Sequence, residues 1–208
     1  MGTLTERGRS VARGVFNPPA RALLRLHVSP DAVTIVGTVA VCAIVLWFLP
    51  QGEFLWAFGL TILFIFSDSL DGTMARLSGR SSSWGAFLDS TLDRVSDAAV
   101  FCGLALYYAA QRTDAGQVWL AVTLAALVGS LLVSYARARA EGVGVDASVG
   151  IAERTERLVI VGAGVLLAGV WDVRALAVAV SVVAVLAWVT VIQRLVAVRR
   201  QTVAVPPR

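Results

Sequence analysis

Four aspartates, Asp68, Asp71, Asp89 and Asp93, stand in a stretch that also holds Gly72, Ala75, Arg76 and Gly85. Asp68 and Asp71 are spaced i,i+3, and Asp89 and Asp93 i,i+4, so on helices each pair shares a face. The segment Ser78–Ser83 between them is polar and turn-prone, which predicts an antiparallel helical hairpin. Asp71 lies seven residues before Ser78 and Asp89 six after Ser83. At about 1.5 Å per residue, both sit on the order of 10 Å from the turn, and the four carboxylates can converge. Ionised together they repel and are costly to desolvate, so they call for cations. Oxygen-only ligands select Mg²⁺, Mn²⁺ or Ca²⁺, and four carboxylates suit a two-metal site. A diphosphate is the substrate group that such metals bridge. Gly72 leaves room for close backbone approach, Ala75 keeps the same face shallow, and Arg76 can fork onto a phosphate. The competing explanation is a set of charged helix ends pairing with arginines such as Arg94. Four Asp at these spacings, none exchanged for Glu, fit that poorly.

The elements that carry these residues belong in a bilayer. Of 208 residues, 57% are hydrophobic and 15% charged, a balance that a soluble domain of this size does not show. Ala32–Gly52, Ala115–Ala136 and Ala175–Gln193 contain no Asp, Glu, Lys or Arg. Each can span a hydrocarbon core roughly 30 Å thick. Three shorter apolar runs, Phe54–Ser67, Ala98–Gln111 and Leu158–Trp171, continue into charged helical extensions. The chain is therefore expected to be an all-α integral membrane protein with six transmembrane helices, near 32–50, 54–78, 84–111, 116–140, 152–171 and 174–198. Residues 1–31 are read as a juxtamembrane amphipathic arm carrying Arg7, Arg9, Arg13, Arg21 and Arg25, an interfacial helix broken at Asn17-Pro18-Pro19. Residues 32–200 make the six-helix domain, and 201–208 a cytoplasmic tail.

Every basic residue other than His27 is arginine. The N-terminal arm, the second–third loop, the fourth–fifth loop and the tail hold nearly all the loop arginines. The first–second loop has none, and the remaining two have Arg112 and Arg174. The positive-inside rule then places both termini and the charged helix ends in the cytoplasm, as expected of a multi-pass protein of the cell membrane. The arm has no short apolar core or cleavage site, so it is not read as a cleaved signal peptide. Cys42 and Cys102 fall inside apolar segments and read as small core residues. No nucleic-acid partner is expected.

The string from Asp68 to Asp93 matches D-x2-D-G-x2-A-R-x8-G-x3-D-x3-D without a departure. It resembles the CDP-alcohol phosphotransferase family, whose six-helix architecture also agrees with the spans. The resemblance implies Mg²⁺ as cofactor, two ions, with Mn²⁺ as a substitute. It implies that Asp68, Asp71, Asp89 and Asp93 are metal ligands and that Asp93 is also the base that deprotonates an acceptor hydroxyl. It implies contacts with a CDP-linked lipid from Gly72, Arg76 and Ser82, and from Asp31, Ala32, Val33 and Thr34 in the segment before the first span. In that segment Ser29 or Asp31 can also cap the first helix. Asp97 continues the i+4 row outside the signature and reads as a supporting or structural carboxylate.

The acceptor is addressed by cations. Arg137 and Arg139 end the fourth helix, Arg154 and Arg157 begin the fifth, and Arg194 lies near the cytoplasmic end of the sixth. Such arginines suit a phosphate-bearing acceptor, with positive-inside charge as the plainer explanation. The segments Ser134–Glu141, Glu153–Leu158 and Leu88–Asp97 look like the actinobacterial phosphatidylinositol-phosphate synthases. That resemblance implies CDP-diacylglycerol and 1D-myo-inositol 3-phosphate as substrates, with Arg137, Arg154 and Arg194 on the acceptor phosphate. The alternatives are a phosphatidylglycerophosphate synthase using sn-glycerol 3-phosphate and, more remotely, a divalent-metal transporter. The resemblance also implies a homodimer among membrane lipids. Gly129, Ser130, Gly162 and Gly164 could serve such an interface or packing within the bundle.

Overall fold

The computed structural model describes residues 17–79 and 82–203, and within these the side chains of 65–69 are outside the description. Arg7, Arg9 and Arg13, two residues of the predicted hairpin turn (Arg80 and Ser81), the last residues of the tail and the Asp68 side chain thus lie outside the described residues. Helix α1 is described over residues 17–25. It is followed by α2 (Pro30–Phe48), α3 (Phe54–Ser78), α4 (Ser83–Ala110), α5 (Asp114–Glu141), α6 (Arg154–Val170) and α7 (Arg174–Val203). No strand occurs among the described residues.

Capping explains where these helices begin. Ser29 Oγ accepts from the Ala32 amide at 3.2 Å, and Pro30 occupies the first helical position, where its missing N–H costs nothing. Ser29 rather than Asp31 is therefore the cap, and the helix starts two residues before the predicted Ala32. Ser82 Oγ accepts from Gly85 N at 3.0 Å at the head of α4. Thr113 Oγ1 accepts from Gly116 N at 3.0 Å at the head of α5.

Among the described residues, three helices are long and apolar enough to cross a membrane: Pro30–Phe48, Asp114–Glu141 and Arg174–Val203. A shorter apolar helical segment runs Phe54–Phe64. The protein is an all-α membrane protein. Along α7, Ala177, Ala179, Ala184 and Ala187 are buried beside Leu176, Val180, Val183 and Val191, while Val178, Val185, Trp188 and Ile192 are exposed. Small residues inside let backbones approach, and large apolar ones outside face lipid.

The described chain forms two compact units. The first comprises residues up to Ile44 together with Gly59–Ser96; the second comprises Val45–Phe58 and Asp97–Arg208. In the first, Met74 is fully buried, accompanied by the polar Thr34, Thr38, Asp71 and Thr73. In the second, α7 packs against α5 and α6. A Cβ added at Gly129 would stand 3.1 Å from Ala187 Cβ, and one added at Gly164 would stand 2.3 Å from Ala179 Cβ. These two glycines are thus used for close packing within the chain.

Candidate functional site

The predicted carboxylates and nucleotide contacts fall in the first unit. Asp71 is buried, 6% exposed. The Thr34 hydroxyl stands 2.5 Å from its Oδ2 and 3.2 Å from Pro30 O. The hydroxyl has one proton, and the shorter approach to a charged acceptor gives it to the carboxylate. Gly72 N donates to Asp71 Oδ1 at 2.5 Å. Arg76 is exposed and donates from Nη2 to Thr73 Oγ1 at 2.9 Å. Asp89, on α4, is exposed, and Asp93 is half-buried one turn further along. Asp93 Oδ2 lies 3.8 Å from Arg94 Nη1, and that nitrogen also donates to Ser90 O. A Cβ added at Gly85 would stand 3.4 Å from Ser82 Oγ and 3.8 Å from Asp31 Oδ1. The heads of α2 and α4 therefore bring Asp31 and Ser82 together around a glycine. Ala32 and Val33 are half-buried in the first turn of α2.

Among the described residues no three His, Cys, Asp or Glu side chains form a group that could hold a metal ion; Asp68, the fourth predicted carboxylate, is outside the described side chains. The donor chemistry nevertheless suits a hard divalent cation. The predicted ligands offer carboxylate oxygen only, and the buried one is already oriented by a hydroxyl and an amide. Among the described residues, a Cβ added at Gly72 would approach Arg76 Nη1, at 3.9 Å.

The predicted acceptor arginines belong to the second unit and differ in their surroundings. Arg137 is exposed and pairs with Glu141 at 3.1 Å, one turn along α5. Arg194 is buried, 2% exposed. It donates from Nε to Val149 O at 2.9 Å and from Nη1 to Val133 O. Arg154 Nε meets Asp97 Oδ1 at 3.2 Å. Asp97 Oδ2 lies 3.8 Å from Arg157 Nη2, and Arg157 Nη1 donates to Ala152 O at 2.9 Å.

The loop between α5 and α6 is strapped along α7. Ala152 N donates to Thr190 Oγ1 at 3.2 Å, Val149 O accepts from Arg194, and Asp146 O accepts from Gln201 Nε2 at 2.7 Å. Gly150 sits at φ 144°, and a Cβ there would stand 2.3 Å from Thr190 Cγ2. Outside the helices, Asp146 accepts from the Ser148 hydroxyl and amide, which hold its carboxyl below the usual range; Arg137 adds to the effect.

Two residues have partners that the sequence does not name. Arg157 was read as part of a cationic helix start, although its i+3 relation to Arg154 signals a shared face. Gly150 stands between Val149 and Ile151. A glycine between two β-branched residues is itself a sign of a backbone turn that they cannot make.

A family model described as CDP-alcohol phosphatidyltransferase matches residues 27–204. The chain is 47% identical over 194 residues to the phosphatidylinositol phosphate synthase of Cutibacterium acnes, covering 89% of this chain and 93% of that one. It is 47% identical over 206 residues to the phosphatidylinositol phosphate synthase of Streptomyces avermitilis, covering 96% and 84%. Among solved structures, it is similar to Mycobacterium tuberculosis phosphatidylinositol phosphate synthase with CDP-DAG bound. That match has a TM-score of 0.84 and 40% identity, and covers 89% of this chain and 94% of the other. The same enzyme in complex with manganese and citrate gives a TM-score of 0.84 at 41% identity, covering 88% of each chain.

Proposed function

The chain belongs to the CDP-alcohol phosphatidyltransferase family, and from that premise we propose that it transfers the phosphatidyl group of CDP-diacylglycerol to 1D-myo-inositol 3-phosphate, releasing CMP. One observation carries the proposal. The complete aspartate signature lies on α3 and α4 of a chain that is 47% identical, over 89% of its length, to a phosphatidylinositol phosphate synthase.

Asp68, Asp71, Asp89 and Asp93 would hold two Mg²⁺ ions, with Mn²⁺, the metal in the M. tuberculosis complex, as a substitute. Bound there, the ions would neutralise the diphosphate. Asp31, Ala32, Val33, Thr34 and Ser82 line the cytidine end of the donor, while Gly72 and Arg76 meet its phosphates. Asp93 takes the proton of the acceptor hydroxyl. The resulting oxygen attacks the phosphorus that bears diacylglycerol. A new P–O bond forms, the anhydride bond opposite breaks, and CMP leaves with the electron pair. Arg154 and Arg194, joined by Arg137, hold the acceptor phosphate. The arginine distribution supports a cytoplasmic active site and cytoplasmic termini, with six spans in all. A homodimer is part of the same proposal.

Purified protein is assayed for CMP release with CDP-diacylglycerol and Mg²⁺, comparing inositol phosphate, glycerol 3-phosphate and free inositol. Turnover is expected with inositol phosphate, about tenfold or more above the others. Preference for glycerol 3-phosphate would keep the chemistry and change the acceptor. Silence with every acceptor, in folded protein, would overturn the proposal.

A further inference from the structure

Asp97 lies four residues beyond Asp93 in α4 and outside the signature, yet it is one of the most buried charges described, at 7% exposure. Its two oxygens face different arginines: Oδ1 meets Arg154 Nε at 3.2 Å and Oδ2 lies 3.8 Å from Arg157 Nη2. Side-chain exposure is 3% at Arg157, 9% at Asp97 and 32% at Arg154, so Arg154 is the most exposed of the three.

The trio is anchored to the fold. Arg157 Nη1 donates to Ala152 O at 2.9 Å. The Ala152 amide is held by Thr190 Oγ1 at 3.2 Å, and the Thr190 hydroxyl donates to Leu186 O at 2.8 Å. A continuous run of hydrogen bonds and ion pairs thus leads from the backbone of α7 through the strapped loop and Arg157 to Asp97, and ends on Arg154.

We propose that Asp97 is a positioning residue for acceptor recognition: braced by Arg157, it fixes the plane of the Arg154 guanidinium so that Arg154 meets the phosphate of the acceptor alcohol. An arginine's use against a phosphate depends on the direction of its planar fork. A bond at Nε sets that plane, whereas a long side chain at a helix start otherwise samples many rotamers. The proposal rests on the assignment of Arg154 to the acceptor phosphate.

The test is a set of steady-state measurements on detergent-solubilised full chain, with KM for inositol phosphate and for CDP-diacylglycerol determined separately. KM is insensitive to the fraction of folded enzyme, so partial misfolding does not obscure the result. Asp97→Asn is expected to raise the acceptor KM about tenfold while kcat and the CDP-lipid KM stay within about threefold. Asp97→Glu, which restores the charge, is expected to recover most of that loss. In an Arg154→Ala background, Asp97→Asn is expected to add less than about twofold. A purely structural role would move both KM values and kcat together, and would leave the acceptor effect intact in the Arg154→Ala background; either result overturns the proposal. An Arg154→Ala enzyme with unchanged acceptor KM would instead remove the assignment beneath it, and the proposal with it.

Discussion

In the first unit the buried carboxylate, Asp71, is met by neutral donors, the Thr34 hydroxyl and the Gly72 amide, while the half-buried Asp93 lies 3.8 Å from Arg94. In the second the charged groups of interest are guanidiniums met by backbone carbonyls and one buried carboxylate: Arg194 by Val149 and Val133, Arg157 by Ala152 and Asp97. Neutral donors orient a carboxylate without cancelling its charge, which suits the proposed role of Asp71 as a metal ligand. Carbonyl anchors do the corresponding thing for an arginine, and they do it from the main chain. The two halves of the chemistry are therefore prepared differently. The cationic side is braced largely by main-chain carbonyls, whereas the buried carboxylate of the anionic side is held by one side-chain hydroxyl and one amide.

The largest expected effect tests the anionic side alone. Asp93→Asn keeps the shape and removes the base. Turnover measured as CMP release is expected to fall roughly 10³-fold, with CDP-lipid binding preserved in an equilibrium assay. Near-normal turnover would show that the proton leaves by another route. The next effect tests the bracing of the cationic side. Gly150→Ala forces a side chain into φ 144° and against Thr190 Cγ2. A loss on the order of 3 kcal/mol is expected, read as earlier thermal unfolding in detergent. Unfolding at the wild-type temperature would mean that the strap along α7 is not rigid.

These two residues also mark what the sequence discloses. The aspartate signature is legible because its logic is local: helical spacing puts Asp89 and Asp93 on one face whatever the rest of the fold does. The starts of α4 and α5, expected near 84 and 116, lie at Ser83 and Asp114 behind the local caps Ser82 and Thr113. Asp97 is legible as a supporting carboxylate on the i+4 row, but its partner is not, because Arg154 lies 57 residues away and nothing in the local pattern selects it. Gly150 depends in the same way on Thr190, which a strap between loop and helix brings to it. Gly129 is intermediate. Its sequence context allows packing within the chain or between chains, and the closeness of Ala187 shows that it is packed within.

A smaller effect returns to the anionic side. Thr34→Val removes the hydroxyl on Asp71 while keeping the volume. Loss of an outer partner of a metal-binding carboxylate weakens the metal by about tenfold. The half-saturating Mg²⁺ concentration is expected to rise by that factor while the acceptor KM holds. A shift in acceptor KM without a shift in Mg²⁺ dependence would detach Thr34 from the cation.

The smallest effect sharpens the comparison within the cationic unit. Among the described residues, Arg137 differs from Arg154 and Arg194 in having neither a carbonyl anchor nor a buried counter-charge. It is exposed, and its described partner is Glu141 on the same helix, where the two side chains are 47% and 59% exposed. Pairs of this kind contribute only about 0.3–0.5 kcal/mol, and water and salt compete with them. If bracing by the fold is what makes an arginine effective against the acceptor phosphate, Arg137→Ala should raise the acceptor KM by only about two- to threefold, well below Arg154→Ala. It should also lose most of that effect as ionic strength rises, because an exposed charge acts over a screened distance. Measuring acceptor KM for both variants across a salt series decides the matter. An Arg137→Ala loss as large as that of Arg154→Ala, and independent of salt, would mean that direct contact rather than bracing sets the contribution of each arginine.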